Sequence, residues 1–186
     1  MEKLILLKPT KEYEQQAKDF IQEFIDNNSK INGTGSLDSH TDNYDEWLVM
    51  VDDYSKGLNL KDGYSPASTY FAVRKTDNRI VGMINIRHQL SEYLLRHGGH
   101  IGYGVRPTER KKGYATEILH LGLEKCNELG IDKVLLTCDK DNIGSVKTIQ
   151  NNYGLLENEI LDDGTIVQRF WIDVKEVLSK HKGKTL

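Results

Sequence analysis

The chain has 186 residues, of which 38% are hydrophobic and 28% charged, and its net charge is −3. That length and balance predict a single globular domain with a substantial core, and the acidic balance argues against a dedicated nucleic-acid binder, which carries a strongly basic face. The apolar run Leu4–Leu7 falls short of the roughly 7–15 residues of a signal-peptide core, and no stretch approaches the roughly 18 apolar residues of a membrane helix.

In chain order, Lys3 to Lys8 reads as a strand stopped by Pro9. Lys11 to Asn27 reads as a helix, with Tyr13, Ala17, Phe20 and Phe24 near helical spacing and Thr10 as its N-cap. Asn28 to Thr41, rich in Asn, Ser, Gly and Asp, reads as a long loop. A second helix follows over about Asn43 to Lys56, with Trp47, Val51 and Tyr54 on one face, and Leu58 to Ser68 is loop again. Thr69–Arg74 and Ile80–His88 are β-rich runs around an Asp77-Asn78 turn. Gln89 to Gly99 connects them to a strand at about His100 to Val105. Tyr114 to Leu129 is an amphipathic helix closed by Gly130 at C′. Lys133 to Cys138 is a compact apolar strand, and Asn142 to Asn151 is a short helix. Leu155–Leu161 and Ile166–Val174 are two last strands around Asp162-Asp163-Gly164. Basic residues gather at Arg110 to Lys112 and in the tail at Lys180, Lys182 and Lys184.

This order predicts an α/β (α+β) chain with antiparallel hairpins and one β-α-β crossover. The crossover helix begins at Arg110-Lys111-Lys112-Gly113-Tyr114-Ala115. A helix start carries unpaired N–H groups and the positive end of the dipole, so a glycine-containing basic turn there suits phosphate oxygens. Two common phosphate motifs do not fit. The chain has no G-x-x-x-x-G-K-[ST], and Gly102-Tyr103-Gly104 lacks the third glycine of a dinucleotide fingerprint.

Val105-x-Pro107 followed by Arg110-x-x-Gly113-x-Ala115 resembles the acyl-CoA signature of the GNAT N-acetyltransferase superfamily. Asn142-Ile143-Gly144-Ser145 is similar to that family's N-x-x-[SA] opening of the next helix. The resemblance covers about Thr69 to Asn158. It implies a mixed, mostly antiparallel twisted sheet of about seven strands with about four helices, splayed where the strand ending near Val105 bulges. It also implies acetyl-CoA as co-substrate, no metal, and transfer of acetyl to a primary amine of a small molecule or peptide. Cofactor contacts map to Tyr103, Val105, Arg110, Lys111, Lys112, Gly113, Tyr114, Ala115, Asn142 and Ser145.

The whole chain, 1–186, is then one acetyltransferase domain, with acceptor-shaping helices over about 10–65 and the cofactor core over about 69–174. The catalytic residues are less plain. Many relatives place a Tyr seven residues after the helix-opening Asn; that position here is Ile149. Tyr153 stands nearby as a shifted acid or a packed aromatic, and His88 and His100 are base candidates. Glu109, within the turn, reads as solvated. Asp38, Asp42, Asp45, Glu46, Asp52 and Asp53 form either an acidic rim for a cationic amine or a wetted helix face. A non-catalytic acyl-CoA sensor is the alternative function. Cys126 and Cys138 lack metal-ligand spacing and read as buried free thiols, which suits a reducing, cytoplasmic setting. Neither a nucleic-acid nor a membrane partner is expected, and a homodimer through the last strands is left open.

Overall fold

The computed structural model describes residues 4–182, with side chains through Lys180. Lys3, Lys184 and the side chain of Lys182 lie outside the described residues. Four strands form one antiparallel sheet in chain order: β1 (Leu4–Leu7), β2 (Ala67–Arg74), β3 (Arg79–Arg87) and β4 (Ile101–Val105). A second antiparallel sheet has the order β5 (Lys133–Asp139), β7 (Thr165–Asp173), β6 (Leu155–Asp162). The alternation expected of strands sorts the first sheet's two faces. Phe71, Val73, Ile80 and Met83 pack under α1 (Glu14–Asp26) and α2 (Tyr44–Ser55), with Trp47 and Phe20 fully buried between them. Ala72, Ile84 and Ile86 pack under α3 (Tyr114–Glu128), whose Ile118, Leu119, Leu123 and Cys126 are also fully buried.

The sheets meet at one place. His100 N–H donates to the Leu135 carbonyl at 2.7 Å, Leu135 N–H donates to His100 Nδ1 at 3.0 Å, and an isolated bridge joins Gly99 to Leu136. Beyond that clasp β4 and β5 belong to separate sheets, so the expected splay is present. The expected bulge in β4 is not: β3 and β4 pair in unbroken register from Gly82–Val105 to Ile86–Ile101. The glycines of β4 serve a close approach instead. A Cβ at Gly104 would stand 2.8 Å from the Asn32 carbonyl, and one at Gly33, itself at φ +75°, would stand 2.5 Å from the Gly102 carbonyl. The loop before α2 therefore lies directly on β4, because neither backbone carries a side chain there.

Most elements fall where periodicity puts them, with three differences. Thr10 caps a 3-10 turn, Lys11–Tyr13, without a side-chain bond, and the α-helical ladder begins only at Glu14. The connection before β4 contains a π-helical turn, Leu94–Gly98. The final strand ends at Asp173, and Val174–Lys182 forms a fifth helix, α5, after α4 (Ile143–Asn151). Asp173 Oδ1 accepts from Glu176 N–H at 3.0 Å, a capping arrangement that starts α5 and stops β7.

Candidate functional site

The site is organised along β4, whose two ends present different chemistry. At its C-terminal end, Val105 leads through a 3-10 turn, Pro107–Glu109, into the basic segment and α3. Lys111 has φ +62° and Gly113 φ +84°. Gly113 holds the N-cap position of α3 and, having no side chain, offers no cap. The first N–H groups of α3 are thereby left for an incoming acceptor, in the kind of left-handed turn that gathers amides around an anion.

Of the charged side chains of this turn, Glu109, Arg110 and Lys112 fasten it. Glu109 is not solvated as expected but buried, at 4% exposure. Its Oε2 accepts from Arg74 Nη1 at 2.9 Å and from Lys112 Nζ at 2.8 Å. Burial pushes the Glu109 carboxyl up, but the bonds from Lys112 and Arg74 outweigh it and hold the group below the usual range. Arg110 donates Nε to the Val105 carbonyl at 3.2 Å and Nη2 to Ser29 Oγ at 2.7 Å, with its guanidinium 5.3 Å from the centre of the Phe24 ring. Arg106 is buried and paired with Glu23 of α1 at 2.8 Å, and the other Glu23 oxygen accepts from Thr108 N–H and Oγ1, each at 2.8 Å. Tyr114 is buried, with its hydroxyl 3.2 Å from Arg74 Nη1. Of the residues expected at the cofactor, Arg110 and Lys112 are held by bonds within the protein.

Across the splay, Asn142 caps α4 by accepting from Ser145 N–H at 3.1 Å. Tyr103, pointing off β4, places its hydroxyl 2.9 Å from Ser145 Oγ. Burial pushes the Tyr103 phenol up to about 12, against the opposing hydrogen bonds from Ser145 and Thr148. Tyr103 and Ser145 thus meet between β4 and α4, which spacing alone does not reveal.

The three expected proton-handling residues are each engaged elsewhere. His100 is the clasp between the sheets, and burial, helped by the nearby Arg87 charge, lowers its pKa to about 4. His88 Nε2 lies 2.9 Å from Ser68 Oγ, and burial lowers its pKa. By strand alternation His88 takes the face opposite Asn85 and Arg87. Tyr153 sits at φ +61° just after α4, packed on the core beneath the Lys180 ammonium, 4.6 Å from its ring centre. Ile149 is fully buried, as is Trp47, whose Nε1 donates to the Gly35 carbonyl at 2.8 Å.

At the N-terminal end of β4 lies a cavity of about 440 Å³. Its walls include Asn32–Ser36 from the loop before α2, Tyr54 of α2, Thr69 of β2, Asn85 and Arg87 of β3, and Tyr93. Of the acidic candidates only Asp38 lines it. Asp45 pairs with Lys11 at 2.6 Å and Asp52 with Lys56 at 2.6 Å, so much of the supposed rim is a paired helix surface.

Two antiparallel sheets splayed about a crossover helix that opens at a basic, uncapped turn make a mixed α/β fold. The chain belongs to the GNAT family of acetyltransferases, whose model, described as Acetyltransferase (GNAT) family, matches residues 13–154. Among solved structures, the microcin C7 self-immunity acetyltransferase MccE, in complex with acetyl-CoA and AMP, superposes with a TM-score of 0.66 at 16% identity, covering 93% of each chain. A spermidine N-acetyltransferase SpeG chimera from Vibrio cholerae and hSSAT gives 0.63 at 12% identity, covering 94% of this chain and 98% of that one. A GNAT-family acetyltransferase from Bacillus anthracis gives 0.60 at 15%, covering 94% and 96%. At these identities the likeness is one of fold. No curated protein sequence matches the chain.

Proposed function

We propose that the protein transfers an acetyl group from acetyl-CoA to a primary amine held in the cavity, by direct attack within a ternary complex. The observation that carries this reading is the position of the cavity and the uncapped turn at opposite ends of one strand. From Gly102, opposite Asn85, to Val105, opposite Gly82, β4 advances about 10 Å at 3.3 Å per residue. A cofactor lying along the splay would have its pyrophosphate at the turn and its thioester near the cavity.

Acetyl-CoA supplies the activated acyl group. The backbone N–H groups of Lys111 to Ala115 cradle the pyrophosphate, and Gly113 allows the close approach. As the C–N bond forms and the C–S bond breaks, the amine loses a proton to water and the departing thiolate needs one. The thiolate takes that proton from water, and the Tyr103 hydroxyl, kept protonated by its burial, can donate a hydrogen bond to the departing sulfur. A backbone N–H near Val105 serves the developing oxyanion.

The test is a thiol-release assay with acetyl-CoA against a broad amine panel, the acetylated product being identified by mass. Acetyl-CoA-dependent product is expected. A second reading, a non-catalytic acyl-CoA sensor, is favoured by the buried Ile149 at the position where relatives often carry an acid. Tight binding without turnover on the whole panel would establish the sensor instead.

A further inference from the structure

The cavity contains an arginine that no acid answers. Arg87 points from β3 into the cavity wall, and its Nη1 donates to the carbonyls of Gly98 and Gly99, at 3.3 and 3.2 Å. Among the described residues no carboxylate pairs with it; Asp38, the acid in the same lining, accepts from the Thr34 hydroxyl at 2.7 Å. Arg74 pairs with Asp77 and Glu109, and Arg106 with Glu23. A guanidinium partly withdrawn from water without a counter-charge is costly, and its half-buried position pulls its pKa down.

A second unmet group belongs to Tyr54, another residue of the cavity lining. The Tyr54 hydroxyl is buried and has no hydrogen-bond partner among the described residues, and Tyr54 itself is 9% exposed. Buried donors left open in this way normally face a ligand or ordered water. Around them stand the Thr69 hydroxyl, to which the Asn85 amide donates at 3.0 Å, and the Tyr64 ring, edge-on to Tyr54 at 5.9 Å.

We infer that the acceptor amine carries an anionic group, a carboxylate or a phosphonate-like acid, which is read by Arg87 together with the Tyr54 hydroxyl. This rests on the transfer reading above and names its substrate class. A guanidinium pairs such oxyanions with direction as well as charge. Arg87 N–H bonds to the His100 carbonyl at 2.8 Å, so the anchor lies at the clasped end of β4, away from the phosphate turn. The same positive charge disfavours a polycation such as spermidine.

Two arms test this. In the first, transfer rates are compared for matched amines differing only in the acid: β-alanine, 2-aminoethylphosphonate and propylamine, then L-phenylalanine and 2-phenylethylamine, with spermidine as control. An acid is expected to raise kcat/KM by about 10- to 100-fold, the scale of a charge-assisted pair. The carboxylate and phosphonate members decide which acid is meant. Arg87→Gln should erase the preference while acetyl-CoA affinity stays unchanged. Because Arg87 also steadies the Gly98 and Gly99 carbonyls, Tyr54→Phe serves as the milder variant and should reduce the preference several-fold. The second arm needs no turnover: calorimetric binding of N-acetyl-L-phenylalanine against its primary amide.

Equal or better transfer to amines without an acid, or a preference that survives Arg87→Gln, overturns the inference and leaves the transfer reading standing. Arg87-dependent binding of the N-acetyl acid with no transfer to any amine supports the anionic site and sinks the transfer reading. Failure of both arms removes both.

Discussion

The two ends of β4 differ in what their charges do. At the Val105 end the turn is rich in cations, yet Arg74, Arg106 and Lys112 are tied to Asp77, Glu109 and Glu23, while Arg110 lies against Phe24 and Ser29. At the His100 end one arginine faces a cavity with no partner acid among the described residues. Most of the turn's charge is therefore already engaged within the protein. The turn should hold an anion through backbone amides positioned by satisfied side chains, and the cavity through a side chain left unsatisfied.

The sharpest way to break this contrast is Gly113→Asp. It puts an acid where a pyrophosphate would lie, at a φ of +84° that suits glycine. Acetyl-CoA affinity should fall by more than about 100-fold, roughly 3 kcal/mol, with the far-UV spectrum retained. Next is Glu23→Ala, which strands the buried Arg106 and frees the Thr108 N–H. It should cost about 3 kcal/mol in urea unfolding, because one partner of a buried pair is left alone.

His100→Asn sharpens the other end. The folded His100 pKa, about 4, lies below the unfolded value near 6.5, so the unfolded state binds more protons between them. Stability from this group is full above about pH 6.5 and is lost as pH falls towards 4, a change of about 3 kcal/mol. The Asn variant, whose amide oxygen can still accept from Leu135 N–H, should flatten that part of the profile when urea midpoints are compared at pH 7 and pH 5. The smallest effect is assigned to Arg110→Gln. If its role is to steady the turn, acetyl-CoA affinity should fall only about two- to fivefold by titration. A hundredfold loss would mean that Arg110 holds the cofactor directly.

The two ends were also unequally legible in the sequence. The turn, α3 and its Gly130 stop are local features, and turn chemistry with helical periodicity suffices to find them. The start of α5 is not read from the sequence: Asp173-Val174-Lys175-Glu176 is a capping pattern, but the apolar run of β7 continues through Val174 and masks the boundary. What could not be read was set by partners distant in sequence. Glu109 is buried because Arg74 reaches it from β2, and His100 is a clasp because Leu135 lies beside it. Arg87 matters because no carboxylate among the described residues pairs with it, and a missing partner of that kind shows only after folding. The glycines of β4 admit the loop before α2, a contact with a distant segment, and the strand runs without a bulge.

The central claim is that the uncapped turn and the splay together select coenzyme A, not merely phosphate. Calorimetric titration of the protein with acetyl-CoA, using ATP and NAD at the same concentrations as controls, tests it most directly. Saturable one-to-one binding of acetyl-CoA with no comparable heat from ATP or NAD is the predicted result. No binding of acetyl-CoA, or ATP binding equally well, would contradict the claim and reduce the turn to a general anion site or to a purely structural one.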